Sequence, residues 1–326
     1  MQLRNKNKIA WLGALTLLFS YAEMLLPRFL PFFRLGLGNI AILLALDLSL
    51  SSFIILTVIK SLASSLMSGT LFSPFMLISL GQSLASGFVM WILARLNKVA
   101  RGRLLSLYGI SIVGSAASAI VQIFLSSLYL GSGTFALLGP MLLFSLASGI
   151  VTAFFSQILH IPEDAPVLER IKTPGRRQPV LLISLLILAA AAIIFMLQSI
   201  YLLVGILIVC LSAQALCHRR IYILPHISLW AFVILSSLFV PNGKVLFQIS
   251  SFSITDGALL DGVIKSVKLS AVSALSQCAA SLQPEGDGLL ALVLAYFRAL
   301  SNLFWTSEGN FIQKLKICLQ SDNLRE

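Results

Sequence analysis

The chain reads EMLLPRFLPFFRLGLGN from Glu23 to Asn39, and this stretch, here called the Pro-Gly segment, separates two apolar runs. It places an acid and two arginines beside helix-breaking prolines and glycines. Unsatisfied backbone groups cost several kcal/mol each in hydrocarbon, so irregular backbone at membrane depth must face protein or a cavity. We therefore expect the Pro-Gly segment to line a polar site between helices.

The composition is typical of a membrane protein. Of the 326 residues, 58% are hydrophobic and 11% are charged, and the mean hydropathy is +0.97. A soluble domain carries about 25% charged residues. The net charge of +11 would suggest a nucleic-acid partner in a soluble protein, but here the basic residues cluster in short segments between apolar runs. We predict an all-α, polytopic membrane protein that binds no nucleic acid.

Hydropathy predicts the spans, because a membrane-crossing helix needs about 20 apolar residues. A less apolar tail follows the last clear span, and it holds either two spans, at 260–282 and 287–305, or one span and an interfacial helix. The clear candidates lie near 9–26, 36–48, 50–67, 74–95, 104–130, 135–159, 180–197, 199–216 and 222–241.

These spans divide the chain into two predicted domains. Residues 1–160 form a six-helix membrane bundle, and residues 180–326 form a membrane domain of four to five helices. Between them, residues 161–179 (IPEDAPVLERIKTPGRRQP) are rich in proline and mixed charge, which is typical of a linker.

Lysine and arginine placement predicts the orientation. Basic residues follow the fourth, sixth and eighth spans, and cytoplasmic loops carry such an excess. The linker and the N-terminus are therefore predicted to be cytoplasmic. Residues 1–20 are similar to a signal peptide, which we interpret as an uncleaved anchor because many spans follow. We expect a multi-pass protein of the bacterial inner membrane.

Lys60 is the most unusual single residue, a cation within the apolar run LTVIKSLASSL. A lysine at the bilayer centre costs about 2.5–3.5 kcal/mol on insertion scales. It therefore faces a cavity or a partner, the interpretation we favour, or its long side chain reaches the membrane interface. Glu23, near the end of the first span, is its candidate counter-ion.

A second polar break, Ser68-Gly69-Thr70 with Ser73-Pro74, separates the third and fourth spans. The predicted topology puts it on the same outer side as the Pro-Gly segment. The two segments form either a ligand mouth, with Asn39 and Thr70 as hydrogen-bonding groups, or ordinary outer loops. Gln122 in the fifth span is either a pocket residue or an interhelical hydrogen-bonding group.

Other polar residues give weaker indications. The tail carries Asp256, Asp261, Lys265 and Lys268 on a helical face, which is either solvated or interfacial, or docks a partner subunit. The four cysteines have no metal-ligand spacing, so we expect neither a metal nor a cofactor. No phosphate-binding loop, aspartate-rich motif or hydrolase motif occurs in the sequence, and we therefore predict that the chain is not an enzyme.

Two motifs together carry a resemblance to a known family. They are Arg34-Leu35-Gly36-Leu37-Gly38-Asn39-Ile40 and Ser68-Gly69-Thr70 with Ser73-Pro74. They resemble the family labelled both Gx transporter and heptaprenyl diphosphate synthase component I, whose members read approximately K-L-G-L-A-N-I and T-G-T-x-x-S-P. The resemblance covers residues 8–160.

That family resembles the substrate-binding (S) subunits of energy-coupling factor (ECF) transporters. The second half is loosely similar to their CbiQ/EcfT-type transmembrane (T) subunits around residues 243–260. The resemblance implies import of a small hydrophobic, isoprenoid-related or vitamin-like precursor, powered by ATP-binding cassette ATPase subunits in trans. It implies a substrate pocket in the membrane formed by Glu23, Arg34, Asn39, Lys60, Thr70 and Gln122.

Two other functions stay open. The family label, taken literally, indicates a membrane component of polyprenyl (heptaprenyl) diphosphate synthesis. The chain could also be a non-transporting assembly partner of a membrane redox complex.

Overall fold

The computed structural model describes residues 2–25, 36–68, 70–159, 180–217, 221, 223–249, 252–279 and 288–319. Three predictions fall outside these ranges: the ligand-binding role of Arg34, the proline-containing part of the Pro-Gly segment at 26–35, and the linker at 161–179. They stay predictions.

The first half folds into helices that follow the predicted apolar runs. Ser106 begins α5 as an N-cap, since its side chain accepts a hydrogen bond from the Gly109 amide at 3.2 Å. Gly131 ends α5 with a φ of +96°, a conformation that glycine adopts without strain. The elements are α1 (Gln2–Leu25), α2 (Asn39–Leu44), α3 (Leu50–Ser68), α4 (Pro74–Val99), α5 (Leu107–Leu130), a 3₁₀ turn (Ser132–Leu137) and α6 (Leu138–Ile158).

The second predicted span, 36–48, is wrong as a membrane crossing. α2 has six residues, which at 1.5 Å per residue gives a length of about 9 Å. Tight turns bound it on both sides, with the Asn39 amide bonded to the Gly36 carbonyl at 2.7 Å and the Ala45 amide to the Ile42 carbonyl at 3.1 Å. The hydropathy criterion detects the apolar run, but it does not detect the turns that limit the helix to six residues.

The second half contains six helices and a β-hairpin in its described part. The predicted tail of two helices is present as α10 and α11, whereas the hairpin was not predicted. Its strands pair antiparallel, with Phe247 opposite Ile254 and Gln248 opposite Ser253. The elements are α7 (Val180–Met196), α8 (Ile200–Leu216), α9 (Ile223–Leu238), β1 (Val245–Ile249), β2 (Phe252–Thr255), α10 (Asp256–Ala279), α11 (Leu289–Thr306) and α12 (Phe311–Leu319).

Within the described residues, five helical segments are long and apolar enough to cross a membrane. They are Leu50–Ser68, Pro74–Val99, Leu107–Leu130, Ser132–Ile158 and Leu289–Thr306. Large apolar side chains on their outer faces are exposed, as lipid contact requires; Leu128 on α5 is 71% exposed. The chain is therefore an all-α, multi-pass membrane protein.

The largest core joins both ends of the chain. Helices α3 to α6 form a row in which neighbours pack together, and α1 packs against α3 and α11. Trp11 and Phe53 from the first half are fully buried in the same cluster as Tyr296 and Leu300 of α11. The C-terminal helices thus complete the N-terminal bundle.

A second core unites α7, α8, α9 and α10 around Leu203, Val267 and Ala271. Helix α10 also contacts the loop between α3 and α4: the Phe72 amide donates to Ser276 Oγ at 3.0 Å, and Gln277 Nε2 donates to the Ser68 carbonyl at 2.8 Å. Packing therefore divides the predicted 180–326 domain, with α7–α10 in one cluster and α11–α12 in the other. The predicted domain boundaries in the sequence stay predictions.

Candidate functional site

The C-terminal part of the Pro-Gly segment forms a turn that is fastened to α1. Both carboxylate oxygens of Glu23 accept backbone hydrogen bonds, from the Gly36 amide at 2.9 Å and the Leu37 amide at 3.2 Å. Gly36 has a φ of +70°, which disfavours side chains other than glycine. A Cβ at Gly38 would lie 2.5 Å from Ser20 Oγ of α1. The glycines at positions 36 and 38 and the Glu23 carboxylate on α1 therefore fix the conformation of this turn.

The turn delivers Asn39 to a buried lysine. Lys60 on α3 is 8% exposed, and its Nζ donates to Asn39 Oδ1. A buried ammonium needs hydrogen-bonding partners because burial removes its hydration. The contacts of Glu23 and of Lys60 both lead to the 36–39 turn, which connects α1, α2 and α3. We name Glu23, Asn39 and Lys60 the Lys60 cluster.

Hydroxyl side chains continue the polar surface along α3. Thr57, Ser61 and Ser65 are each at most 2% exposed and follow one another at intervals of four residues, so they share a face of the helix. Thr57 and Ser61 donate to carbonyls one turn earlier, at 2.9 and 3.2 Å. Sequence reasoning missed this stripe, although its four-residue period is visible in the sequence.

Thr70 lies apart from the Lys60 cluster. Its hydroxyl is 3.0 Å from Ser68 Oγ, and its carbonyl accepts from Ser73 Oγ at 2.7 Å. Lys60 lies eight residues before Ser68, the last residue of α3, which corresponds to about 12 Å of helix rise. Thr70 therefore shapes the α3–α4 loop, which is anchored on α10.

Gln122 also lies elsewhere, in a cavity between the two halves of the chain. The cavity has a volume of about 40 Å³, which is small for a ligand site. α4 and α5 form one wall, and α9 and α10 form the other. The lining residues are Pro74, Phe75, Ile78, Gln122, Ser126, Tyr129, Leu130, Leu229, Phe232, Val233 and Leu269.

The charged face predicted in the tail is only partly accessible to solvent. Asp256 begins α10 and accepts the amides of Lys244 and Gly257, each at 2.7 Å. Lys265 bridges Asp261 at 2.6 Å and the Leu130 carbonyl at 3.1 Å. Lys268, in contrast, is 8% exposed and donates to the Phe195 carbonyl at 3.0 Å. The prediction of a solvated or interfacial face is therefore wrong for Lys268, because it points into the helix bundle.

Of the six predicted pocket residues, Asn39 accepts a hydrogen bond from Lys60, and Glu23 holds the adjoining turn through the Gly36 and Leu37 amides. Thr70 and Gln122 occupy two other places, and Arg34 lies outside the described residues. The Lys60 cluster contains the buried ammonium group of Lys60, the side-chain amide of Asn39, and the carboxylate of Glu23, which accepts two backbone hydrogen bonds. Such an arrangement can receive an anionic or hydrogen-bonding group close to Lys60.

Comparison with known protein families gives two matched regions, and one of them coincides with the α7–α10 cluster. Residues 179–280 match a domain of unknown function (DUF8519), and this range contains the whole α7–α10 cluster. No curated protein and no solved structure matches the chain. Residues 12–159, which include the Lys60 cluster, match the family model described as heptaprenyl diphosphate synthase component I, so the resemblance read from the two motifs is confirmed.

Proposed function

We propose that the chain is the substrate-binding membrane component of an ECF-type importer, located in the bacterial inner membrane. Its cargo is a small hydrophobic precursor, isoprenoid-related or vitamin-like, that carries an anionic group. ATP-binding cassette ATPases supplied in trans drive its release. The observation that carries this proposal is the Lys60 cluster, a preorganised cation inside a membrane helix bundle.

The hydrogen bond from Lys60 to Asn39 favours ligand binding over a purely structural role. Asn39 Oδ1 belongs to a side chain, which can rotate away when a carboxylate or phosphate arrives and accept the stronger, charge-assisted bond from Lys60. The backbone of the turn stays in place during this exchange, because Glu23 holds the Gly36 and Leu37 amides. Binding then requires a side-chain movement and no rearrangement of helices.

Arg34 strengthens the proposal from the sequence. It lies two residues before Gly36 in the sequence. The resemblance implies that Arg34 is a second cation of the substrate pocket, and two cations suit a dianionic head group, since planar guanidinium and ammonium groups both bind phosphate. The apolar part of the cargo would contact the surrounding helices.

Native mass spectrometry of the chain, purified gently from its own membranes, tests this function. We expect the wild type to carry a small anionic molecule and a pair of ATPase subunits. Lys60→Met is expected to lose the small molecule and to keep its place in the membrane. Lys268→Met is the matched control, because it removes an equally buried lysine outside the cluster, and it should keep the ligand. A wild-type chain without ligand or ATPases would refute the importer.

The family match favours a second function, a membrane component of heptaprenyl diphosphate synthesis. In this case the chain would anchor a prenyl synthase subunit or receive its product. The test is to measure heptaprenyl diphosphate formation by that subunit in vesicles with and without the chain. Stimulation that depends on the chain, together with co-purification of the synthase, would favour this function over import.

A further inference from the structure

We propose that Cys217 and Cys278 form a reversible disulfide, a modification site that joins the end of α8 to the end of α10. The co-reactant is a disulfide-containing oxidant, which the two thiols reduce by thiol–disulfide exchange. The cysteines of the chain are free thiols in the structure, which therefore represents the reduced form. The site is separate from the Lys60 cluster and does not rest on the importer function.

Helix packing brings the two thiols together although they are far apart in the sequence. Helices α8 and α10 pack side by side in the α7–α10 cluster, whose core contains Cys210, Val267 and Ala271. At the C-terminal ends of both helices, the side chains of Cys217 and Cys278 are hydrogen-bonded to each other. Sequence spacing does not reveal this pair, because its two members belong to different helices.

Both cysteines lie at helix ends, where the backbone can adjust to form the bond. Cys217 is the C-cap of α8 and follows its last helical residue, Leu216. Cys278 lies in the last turn of α10, which ends at Ala279. The sulfur atoms must approach from hydrogen-bonding distance to the S–S bond length of about 2.05 Å. Because the last carbonyls of a helix have no intrahelical donors, a small shift there breaks few hydrogen bonds.

The different exposure of the two thiols assigns their roles. Cys217 is exposed, whereas Cys278 is partly buried and its Sγ donates to the Ala274 carbonyl at 3.6 Å. In the sequence, Arg219 and Arg220 follow Cys217. Charged residues are costly at the bilayer centre, so we expect Cys217 to lie close to water. Cys217 is therefore the thiol that attacks the oxidant, and Cys278 is the thiol that resolves the mixed disulfide.

The exchange takes place in two steps. Cys217 loses its proton to water, and its thiolate attacks one sulfur of the oxidant. The S–S bond of the oxidant breaks, and one of its thiolates leaves and takes up a proton. Cys278 then loses its proton and attacks the Cys217 sulfur, which forms the Cys217–Cys278 bond and releases the second thiolate. The pair loses two electrons and two protons, and the oxidant is reduced to two thiols.

The two other cysteines, Cys210 and Cys318, are buried and serve as controls. Cys210 lies seven residues before Cys217, which is about 10 Å along the axis of α8. Cys318 lies in the core that joins both ends of the chain, where its Sγ donates to the Leu300 carbonyl at 3.6 Å. Among the described residues, no group of three or more His, Cys, Asp or Glu side chains could hold a metal ion, so the pair suits disulfide chemistry better than zinc, which takes four ligands in structural sites.

Peptide mapping without reductant tests the proposal on the full wild-type chain in phosphatidylcholine nanodiscs. Oxidised glutathione is the probe, and a maleimide then labels the thiols that remain. We expect a peptide that links Cys217 to Cys278, loss of maleimide labelling at both positions, and recovery of labelling after dithiothreitol. Full labelling of both positions after oxidation would overturn the proposal. So would glutathione that stays on Cys217 beside a free Cys278, and neither result requires a variant to fold.

Two variants test the assigned roles. Cys278→Ser should trap the mixed disulfide of Cys217 with glutathione, because the resolving thiol is absent. Cys210→Ala is the matched control, since it removes a thiol from the same helix, and it should keep the link between Cys217 and Cys278. Absence of glutathione on Cys217 in Cys278→Ser would overturn the attacking role of Cys217. Loss of the link in Cys210→Ala, or a wild-type link from Cys278 to Cys210, would overturn the pairing.

Discussion

Lys60 in α3 and Lys268 in α10 are buried to the same degree, 8% exposed each, yet they contact different kinds of partner. Lys268 donates to the Phe195 carbonyl, in the last turn of α7. The last carbonyls of a helix lack intrahelical donors, and a cation there also complements the helix dipole. Lys60 donates instead to a side-chain amide. Lys268 thus completes a helix end, whereas Lys60 has a partner that can move.

This difference teaches that burial of a lysine does not by itself identify a ligand site. A backbone carbonyl is fixed by its helix, so its lysine is fixed as well. An asparagine side chain can change rotamer at small cost, so its lysine can exchange one partner for another. The following predictions test whether the two regions differ in this way.

The largest expected effect comes from Glu23→Ala, which removes the carboxylate that holds the 36–39 turn. Hydrogen bonds to charged groups contribute about 1.5–3 kcal/mol each, and two amides lose their acceptor, so we expect a loss of about 3 kcal/mol in the free energy of unfolding. Unfolding in bilayer vesicles measures it. Glu308→Ala changes an exposed acid and should alter stability by less than about 0.5 kcal/mol. Equal effects of both substitutions would show that the turn does not depend on Glu23.

Lys268→Met should lower the stability of the α7–α10 cluster by about 2 kcal/mol, because the Phe195 carbonyl loses a charged donor. Lys265→Met should cost less, about 1 kcal/mol, since the Lys265 side chain is more exposed and its partner Asp261 stays solvated. Denaturant unfolding of the two variants provides the comparison. If Lys268→Met were neutral, the structural role assigned to Lys268 would be wrong.

A double-mutant cycle measures the Lys60 pair directly. Lys60→Met and Asn39→Leu are expected to couple by about 1–2 kcal/mol, because each removes the same hydrogen bond. Asn39→Leu and Lys268→Met should be additive within about 0.5 kcal/mol, as expected for sites that share no partner. Additivity in the first cycle would mean that Lys60 and Asn39 do not interact in the membrane.

The smallest effect is expected for Gln277→Leu, which removes one hydrogen bond between α10 and the α3–α4 loop. Interhelical hydrogen bonds in membranes contribute about 0.6 kcal/mol on average. Amide hydrogen exchange at Thr70 and Phe72 should therefore accelerate modestly, while exchange in α7 stays unchanged. Acceleration throughout the second half would indicate that the residue supports the whole cluster.

The sequence predicted helices correctly where they depend on local features, namely the length of an apolar run and the residues that end it. Apolar runs of sufficient length, bounded by Pro74 or Gly131, correctly located α3 to α6 and the apolar helices of the second half. The same criterion failed at α2, where the turns around it shorten the helix. It also missed the β-hairpin, because the alternation of Phe247, Gln248 and Ile249 is too short to stand out beside long apolar helices.

The candidate site was predictable only in part. Charge within an apolar run singled out Lys60, and the Pro-Gly segment singled out Asn39, which binds Lys60, and Glu23, which holds the adjoining turn. The separation of Thr70 and Gln122 from them depends on helix packing, which no local pattern encodes. The burial of Lys268 depends on where α7 ends, which is likewise a matter of tertiary structure.

The most direct test of the difference between the two lysines is ligand-induced stabilisation in nanodiscs with a panel of short prenyl carboxylates, phosphates and diphosphates. A ligand present at 100 times its Kd stabilises its protein by about 2.7 kcal/mol. We predict that one class of compound raises the Tm of the wild type and of Lys268→Met but not that of Lys60→Met. The same shift in Lys60→Met and wild type would contradict the assignment of Lys60 to the ligand site.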